Sequence, residues 1–93
     1  MNEKQLAGVF KSLSDENRIK IMNLLKHKEL CASDLLTDLQ ISQPTLSHHL
    51  KILCESGIVD SHKIGTWIYY RISEEGINIM RRYLTQLIAE QGL

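Results

Sequence analysis

Apolar residues recur at helical spacing through the centre of the chain. Three leucines lie three or four residues apart, as on one face of an α-helix: Leu46, Leu50 and Leu53. Ser42 is a good N-cap, and Pro44 falls in the first turn, where a missing N–H costs nothing. Gly57 stands where a helix end often needs a positive φ. The pattern predicts a helix over residues 41–53, which we call the reader helix.

Three further helices precede the reader helix in the pattern. We expect them over residues 3–13, over the segment that Ser14 or Asp15 caps, and over 33–39, with Cys31 at the N-cap of the third. In the second helix the residues expected to face the core are Ile19, Met22, Leu24 and Leu25. The third helix, the short connection 40–42 and the reader helix together form a helix-turn-helix.

After Gly57 the period changes from helical to alternating. Residues 58–63 and 67–72 are β-branched and aromatic, and Ile64, Gly65 and Thr66 separate them, which predicts a hairpin. A hairpin beside a helix-turn-helix is a wing. From about residue 74 to 91 a wide apolar stripe predicts a long last helix.

The polar face of the reader helix carries no acid. Its side chains are amides, hydroxyls and bases: Gln43, Thr45, Ser47, His48 and Lys51. No Asp or Glu occurs between Asp38 and Glu55, nor from residue 61 to 73 in the wing. Such a face suits the acceptor-rich major groove and its phosphates. A plain helical hairpin in an all-α domain is the alternative that this segment alone leaves open.

The two terminal helices present apolar faces beyond what one small core needs. We therefore expect a dimer interface built from both, with these residues: Leu6, Val9, Phe10, Met80, Tyr83, Leu84, Leu87 and Ile88. The alternative is that the last helix folds back over its own domain. The predicted fold is α+β, mostly helical: a winged helix-turn-helix with a β-hairpin wing and terminal dimerisation helices, in a single domain over residues 1–93.

The composition of the chain limits how it could bind DNA or another subunit. The chain has 93 residues and a net charge of zero, so affinity for DNA must come from local segregation of charge. A core this small also favours a partner subunit. We find no signal peptide and no membrane span, and with two cysteines we expect a cytoplasmic protein with free thiols.

An enzyme is the first alternative class, and the residues do not support it. Ser47, His48 and His49 adjoin along one helix, where neighbouring side chains do not face each other, and no acid is placed to orient a histidine. The second alternative is a winged helix that binds proteins. The reader face lacks the exposed aromatic or aliphatic cluster that this role favours.

Taken together, these segments resemble the ArsR/SmtB family of bacterial winged-helix repressors. The matching segments cover nearly the whole chain in the right order: residues 13–22, 29–35, 41–53 and 56–59, then Gly65 with 69–72. The resemblance implies a homodimer that binds double-stranded DNA at an inverted-repeat operator and leaves it on a signal. Predicted DNA-binding residues are Ser42, Gln43, Thr45, Ser47, His48, Lys51 and the wing residue Lys63. His49 adjoins the leucine face and is expected to be packed and hydrogen-bonded.

The sensing sites of the family are where this chain departs from the resemblance. Members that sense arsenic-type ions carry a Cys-x-Cys at the start of the third helix, and here only Cys31 is present. Members that sense zinc or nickel use Asp and His on the last helix, and residues 74–93 contain no Asp, His or Cys. We therefore expect no metal site and no cofactor. A thiol-based redox role for Cys31 stays open, as does any role for Cys54.

Overall fold

The computed structural model describes residues 2–91 as five helices and three strands. In chain order they are α1 (Glu3–Ser12), α2 (Glu16–Leu25), β1 (Leu30–Cys31), α3 (Ala32–Asp38), α4 (Gln43–Glu55), β2 (Val59–Ile64), β3 (Trp67–Ile72) and α5 (Glu74–Ala89). This arrangement confirms the predicted winged helix-turn-helix, with α3 and α4 as its two helices. Met1, Gly92 and Leu93, which the predicted domain includes, lie outside the described residues.

Short polar side chains start the helices, because each can accept a hydrogen bond from an N–H that has no partner in the first turn. Asp15 caps α2, where its carboxylate accepts from the N–H groups of Asn17 and Arg18. Ser42 caps α4 and Ser73 caps α5. After α4, Gly57 has a φ of +85°, the left-handed conformation predicted at this helix end.

The wing is a three-stranded antiparallel sheet with the order β1-β3-β2. The sequence predicts only its hairpin, because β1 has two residues and shows no alternation. The predicted turn is also one residue too long: Ile64 belongs to β2 and pairs with Trp67. Gly65 and Thr66 alone form the turn. Gly65 has a φ of +62°, as the first residue of a tight hairpin turn often requires.

One core lies under the helix-turn-helix and the base of the wing. Its buried side chains come from the first four helices and from the two residues where the wing begins: Val9, Ile21, Leu25, Leu35, Leu39, Leu46, Leu50, Leu53, Ile58 and Val59. The three leucines of α4 are at most 3% exposed, as predicted. In α2 the prediction needs correction, because Ile21 is buried and Ile19 is exposed. The alternating apolar residues of α2 allow more than one helical phase, and packing against α4 selects the one with Ile21 inside.

The terminal helices α1 and α5 pack against each other, and their contact reaches Tyr83 in the second half of α5. The ring of Phe10 in α1 meets Tyr83 edge to face, with centroids 6.0 Å apart. Val9 needs correction as a predicted interface residue, because it is 2% exposed and belongs to the core of its own chain. Met80 also packs partly against that core. The later apolar side chains of α5 remain open to solvent: Leu84, Leu87 and Ile88 are 46–55% exposed.

Candidate nucleic-acid interface

The reader helix, α4, exposes every polar side chain that the sequence proposed for DNA binding. Exposed side chains run along one side of it: Ser42, Gln43, Thr45, Ser47, His48 and Lys51. At its start the Ser42 hydroxyl accepts the Thr45 N–H at 3.3 Å and donates to the Thr45 hydroxyl at 2.9 Å. No acidic residue occupies the first turn of α4. This end of the helix thus combines the positive end of the helix dipole with hydroxyl and amide groups, a combination that attracts phosphates.

Lys51 lies one turn before Glu55, at the far end of the reader face. The Lys51 ammonium and the Glu55 carboxylate are 3.9 Å apart, and both side chains are mostly exposed. An ion pair in such a setting is worth between zero and about 1 kcal/mol, so it holds Lys51 only weakly. The lysine can therefore exchange this contact for a phosphate at little cost.

The opposite side of α4 is fixed to α2 through His49. This histidine is 6% exposed, as expected from its place beside the leucines. The Arg18 guanidinium lies 3.0 Å from His49 Nδ1. Because a guanidinium only donates, Nδ1 must accept, which puts the hydrogen of the neutral ring on Nε2. Asp15 approaches that second nitrogen at 3.9 Å.

Arg18 also reaches the end of α1. Its Nε donates to the backbone oxygen of Ser12 at 2.6 Å, so one side chain joins α1, α2 and the reader helix. The sequence pattern predicts no role for Arg18. The sequence shows an arginine on α2 and a histidine beside the leucines of α4. It does not show that the two side chains meet, because their contact depends on how α2 packs against α4.

Asp15 is the acidic member of this group. Burial tends to raise the pKa of its carboxyl, but hydrogen bonds from the Arg18 and Asn17 N–H groups, together with His49 and the Arg18 charge, lower the pKa below its usual value. A carboxylate with a lowered pKa stabilises the fold above its ordinary pKa. That contribution is lost as the pH falls through the lowered pKa.

The wing places Lys63 near its tip, exposed to solvent. The hairpin lacks acids in sequence from residue 61 to 73, but one acid approaches it in space. The Glu29 carboxylate lies 3.4 Å from His62 Nε2 on the way into β1. The sequence could not predict this contact, because β1 was not recognised as a strand of the wing. Lys63, one residue beyond His62 towards the tip, still carries a positive charge.

Both cysteines are free thiols. Cys31 is buried at the start of α3, where its thiol donates to the Asp34 carboxylate at 3.1 Å and lies 3.2 Å from the Ser33 hydroxyl. That thiol, with the Cys31 N–H, lowers the pKa of Asp34. Cys54 is half-buried, and burial together with the nearby Asp60 charge raises its pKa. The raised pKa of Cys54 disfavours its thiolate, which is the reactive form of a cysteine.

Residues 2–91 contain neither a metal-binding cluster nor a helix able to span a membrane. No group of three or more His, Cys, Asp and Glu side chains within that range could hold a metal ion. Within the same range no helix has the length and apolar character that crossing a membrane requires.

Comparison with known proteins places the chain in a family. Residues 15–61 match the model described as "Bacterial regulatory protein, arsR family". The arsenical resistance operon repressor of Staphylococcus xylosus is 42% identical over 84 residues, which are 90% of this chain and 81% of that protein. Among solved structures, an ArsR-like transcriptional regulator from Rhodococcus sp. RHA1 has a TM-score of 0.87 at 37% identity, covering 96% of this chain and 84% of that one.

A solution structure from Mycobacterium bovis is also similar, with a TM-score of 0.75 at 31% identity over 96% of this chain and 82% of that one. That protein is described as a homodimeric winged helix-turn-helix DNA-binding domain and a possible ArsR-family transcriptional regulator. The matched residues 15–61 contain α2, the helix-turn-helix and the start of the wing, which are the elements that carry the candidate interface. The chain therefore belongs to the ArsR family of bacterial transcriptional regulators.

Proposed function

We propose that this protein is a homodimeric transcriptional repressor that binds an inverted-repeat operator and leaves it on a signal still to be identified. Each α4 enters a major groove of one half-site, and the two half-sites lie about one DNA turn apart, roughly 34 Å. The single observation that carries the proposal is the reader face: it is exposed, it contains no acid from Gln43 to Lys51, and the opposite face of α4 is buried.

Four residues are assigned to base edges or nearby phosphates: Gln43, Thr45, Ser47 and His48. Lys51 and Lys63 are assigned to phosphates, and Ser42 caps the helix and adds a hydroxyl at its start. The Arg18–His49 contact supports this arrangement, because it holds the buried side of α4 against α2 while the polar side faces outward. The similar protein from Staphylococcus xylosus is named a repressor, which favours repression over activation.

The dimer is proposed from the exposed stripe of α5 and its neighbour α1. Leu84, Leu87 and Ile88 lie on one side of α5, and about half of each side chain is exposed. Tyr83, Leu6 and Phe10 adjoin them where α1 meets α5, and Met80 lies at the edge near the core. A continuous apolar face of this kind on a small protein usually marks an interface. The similar domain from Mycobacterium bovis is a homodimer, which supports the same assembly here.

We further propose a cytoplasmic protein without catalytic activity, since its relatives are regulators. The signal is not assigned to a metal. A sensor based on Cys31 is disfavoured because that thiol is buried and donates to Asp34. Two other signals are compatible with this chain: a partner protein, or the repressor's own concentration.

The proposal is tested by Ser47→Ala and His48→Ala. Each change removes one contact with a base edge or phosphate, so we expect affinity for a duplex recovered by selection to fall by about 1–3 kcal/mol. His27→Ala is the matched control, because His27 is also an exposed histidine but follows α2, outside the proposed interface. Affinity is measured by fluorescence anisotropy of a labelled duplex over a range of salt concentrations.

A specific outcome would sink the assignment. If His48→Ala binds the duplex as tightly as the wild type and His27→Ala, the reader face does not read DNA. If either reader variant instead unfolds or loses its dimer, the residue belongs to the structure. Thermal unfolding and sedimentation of the same samples separate these cases.

A further inference from the structure

The end of the wing carries two large apolar side chains that the chain leaves in water. Ile64 and Trp67 are opposite each other on the last rung of the β2–β3 ladder, and they are 53% and 57% exposed. We call them the wing-tip pair. Only Gly65 and Thr66 extend beyond them, so they are the outermost large side chains of the hairpin. Packing across the strands supports the hairpin, but it leaves more than half of each side chain without a partner.

The charges around the wing-tip pair favour a polyanion. Lys63 precedes Ile64, and the hairpin contains no acid from residue 61 to 73. The nearest acids sit towards the base: Asp60 at the start of β2, and Glu29, which is engaged with His62. An apolar contact with a lysine beside it and no acid nearby fits a DNA groove, whose walls are sugars and whose rims are phosphates. A protein partner that bound two apolar side chains would not require the surrounding strands to be free of acids.

The base of the wing and the reader helix share one core. Only three residues separate the end of α4 from the start of β2, and Ile58 and Val59 are buried in the same core as the leucines of α4. A six-residue strand spans about 20 Å. Half a DNA turn is roughly 17 Å. A hairpin anchored beside the reader helix is therefore long enough to reach the groove next to the one that α4 occupies.

We propose that the wing-tip pair is an apolar wedge that enters the minor groove flanking each half-site. Ile64 and Trp67 pack there against sugars and base edges, while Lys63 holds the adjacent phosphate. The wedge favours flanking steps that unstack easily, such as TA, and so adds specificity outside the bases that α4 contacts. This inference rests on the proposed DNA-binding function and adds two contact residues and a DNA-shape preference to it.

The chain provides its own probe, because Trp67 is its only tryptophan. The wild-type protein is titrated with the selected duplex while tryptophan emission and quenching by acrylamide are followed. We expect the emission to change and acrylamide access to fall over the same DNA concentrations that produce the anisotropy change. A duplex that binds by anisotropy while Trp67 emission and acrylamide access stay constant would overturn the wedge.

Variants separate an apolar contact from a phosphate contact. Trp67→Ala should weaken binding about tenfold or more, since aromatic contacts with bases are worth that much. The slope of log affinity against log salt should stay unchanged, because no counterion is displaced. Lys63→Ala should reduce that slope by about one. Ile68→Ala is the control: Ile68 is similarly exposed on the same hairpin but points to the other face, and it should change affinity less than about twofold.

The outcomes distinguish this proposal from the function on which it rests. If the wild type binds no duplex, both proposals fall. If the wild type binds and Trp67→Ala behaves like Ile68→Ala, only the wedge falls. Trp67→Phe keeps the cross-strand pair, so recovery of affinity in that variant supports an aromatic contact. If acrylamide access to Trp67 falls as the protein concentration rises in the absence of DNA, the wing-tip pair belongs to a contact with a second copy of the chain. That result would overturn the wedge.

Discussion

Two helices with the same sequence pattern have opposite surroundings in this molecule. Both α4 and α5 begin after a serine cap and carry an apolar stripe at helical spacing. In α4 the stripe is Leu46, Leu50 and Leu53, at most 3% exposed. In α5 the corresponding side chains are about half exposed. Hydrophobic periodicity therefore predicts which face of a helix is apolar. It does not predict whether that face packs inside its own chain or against another molecule.

The division runs through α5 itself. Its first turn is fixed to the base of the wing, where the Ser73 N–H donates to the Ile58 oxygen at 2.9 Å. Gly76 packs so tightly against the backbone of Gly57 and Ile58 that a Cβ would overlap it. In the second half, Tyr83 contacts Phe10 of α1, but Leu84, Leu87 and Ile88 are about half exposed. We infer that the first half belongs to the domain and the second half to the dimer.

The largest effect is expected from Leu46→Ala in α4. Leu46 is fully buried, so the change removes its contacts and leaves a cavity, which should lower the free energy of unfolding by about 2–5 kcal/mol. Urea denaturation measures this loss. Ser47→Ala, one residue further along, is the control and should leave stability nearly unchanged. Equal stability of the Leu46→Ala variant and the wild type would place the apolar face of α4 outside the core.

A smaller and different effect is expected from Leu87→Ala in α5. Leu87 is 46% exposed in one chain, so its removal should spare the fold. It should weaken the dimer, because burial of a leucine contributes about 1.5–3 kcal/mol and a twofold interface contains it twice. Sedimentation equilibrium measures the dimer dissociation constant. Thr85→Ala, exposed on the same helix, is the control, and a dimer that tolerates Leu87→Ala as well as Thr85→Ala would contradict the interface.

The serine caps of α4 and α5 also differ in how far they are exposed to solvent. The Ser73 hydroxyl accepts the Gly76 N–H at 3.1 Å in a buried setting, so Ser73→Ala leaves that N–H without a partner and should lower stability by about 1–3 kcal/mol. Ser42 is exposed, and water can replace its hydroxyl, so Ser42→Ala should lower stability by only about 1 kcal/mol. Thermal unfolding of both variants compares them. A larger loss at Ser42 would reverse the assignment of the two helix starts.

The smallest effect on stability is expected from Lys51→Ala on the reader face. The pair with Glu55 is exposed, so stability should change by less than about 0.5 kcal/mol. Binding should still weaken, and the salt slope of DNA affinity should fall by about one, because one phosphate contact is lost. Anisotropy titrations at several salt concentrations give both quantities. An unchanged slope would remove Lys51 from the phosphate contacts.

Most of the fold could be predicted because local signals and the hydrophobic pattern agree. Ser42, Pro44 and the leucines of α4 all indicate one helix with one buried face, and Gly57 and Gly65 stand where the backbone turns with positive φ. The exposure of the reader side chains follows from the same periodicity. What they contact on DNA stays a prediction.

The rest depends on contacts between distant segments. The two-residue β1 forms only because β3 offers it an edge, and nothing local indicates it. Val9 and Ile19 each lie on an apolar helix, and only packing decides that Val9 enters the core and Ile19 does not. The Arg18–His49 contact joins residues 31 positions apart. Periodicity carries no information on such pairs.

The most direct test of dimeric DNA binding is selection of the purified protein against a pool of random duplexes at low salt. We expect enrichment of an inverted repeat whose half-sites are centred about one DNA turn apart. Two chains should bind each duplex. No enrichment, or enrichment of a single half-site by a monomer, would contradict a dimeric reader of DNA.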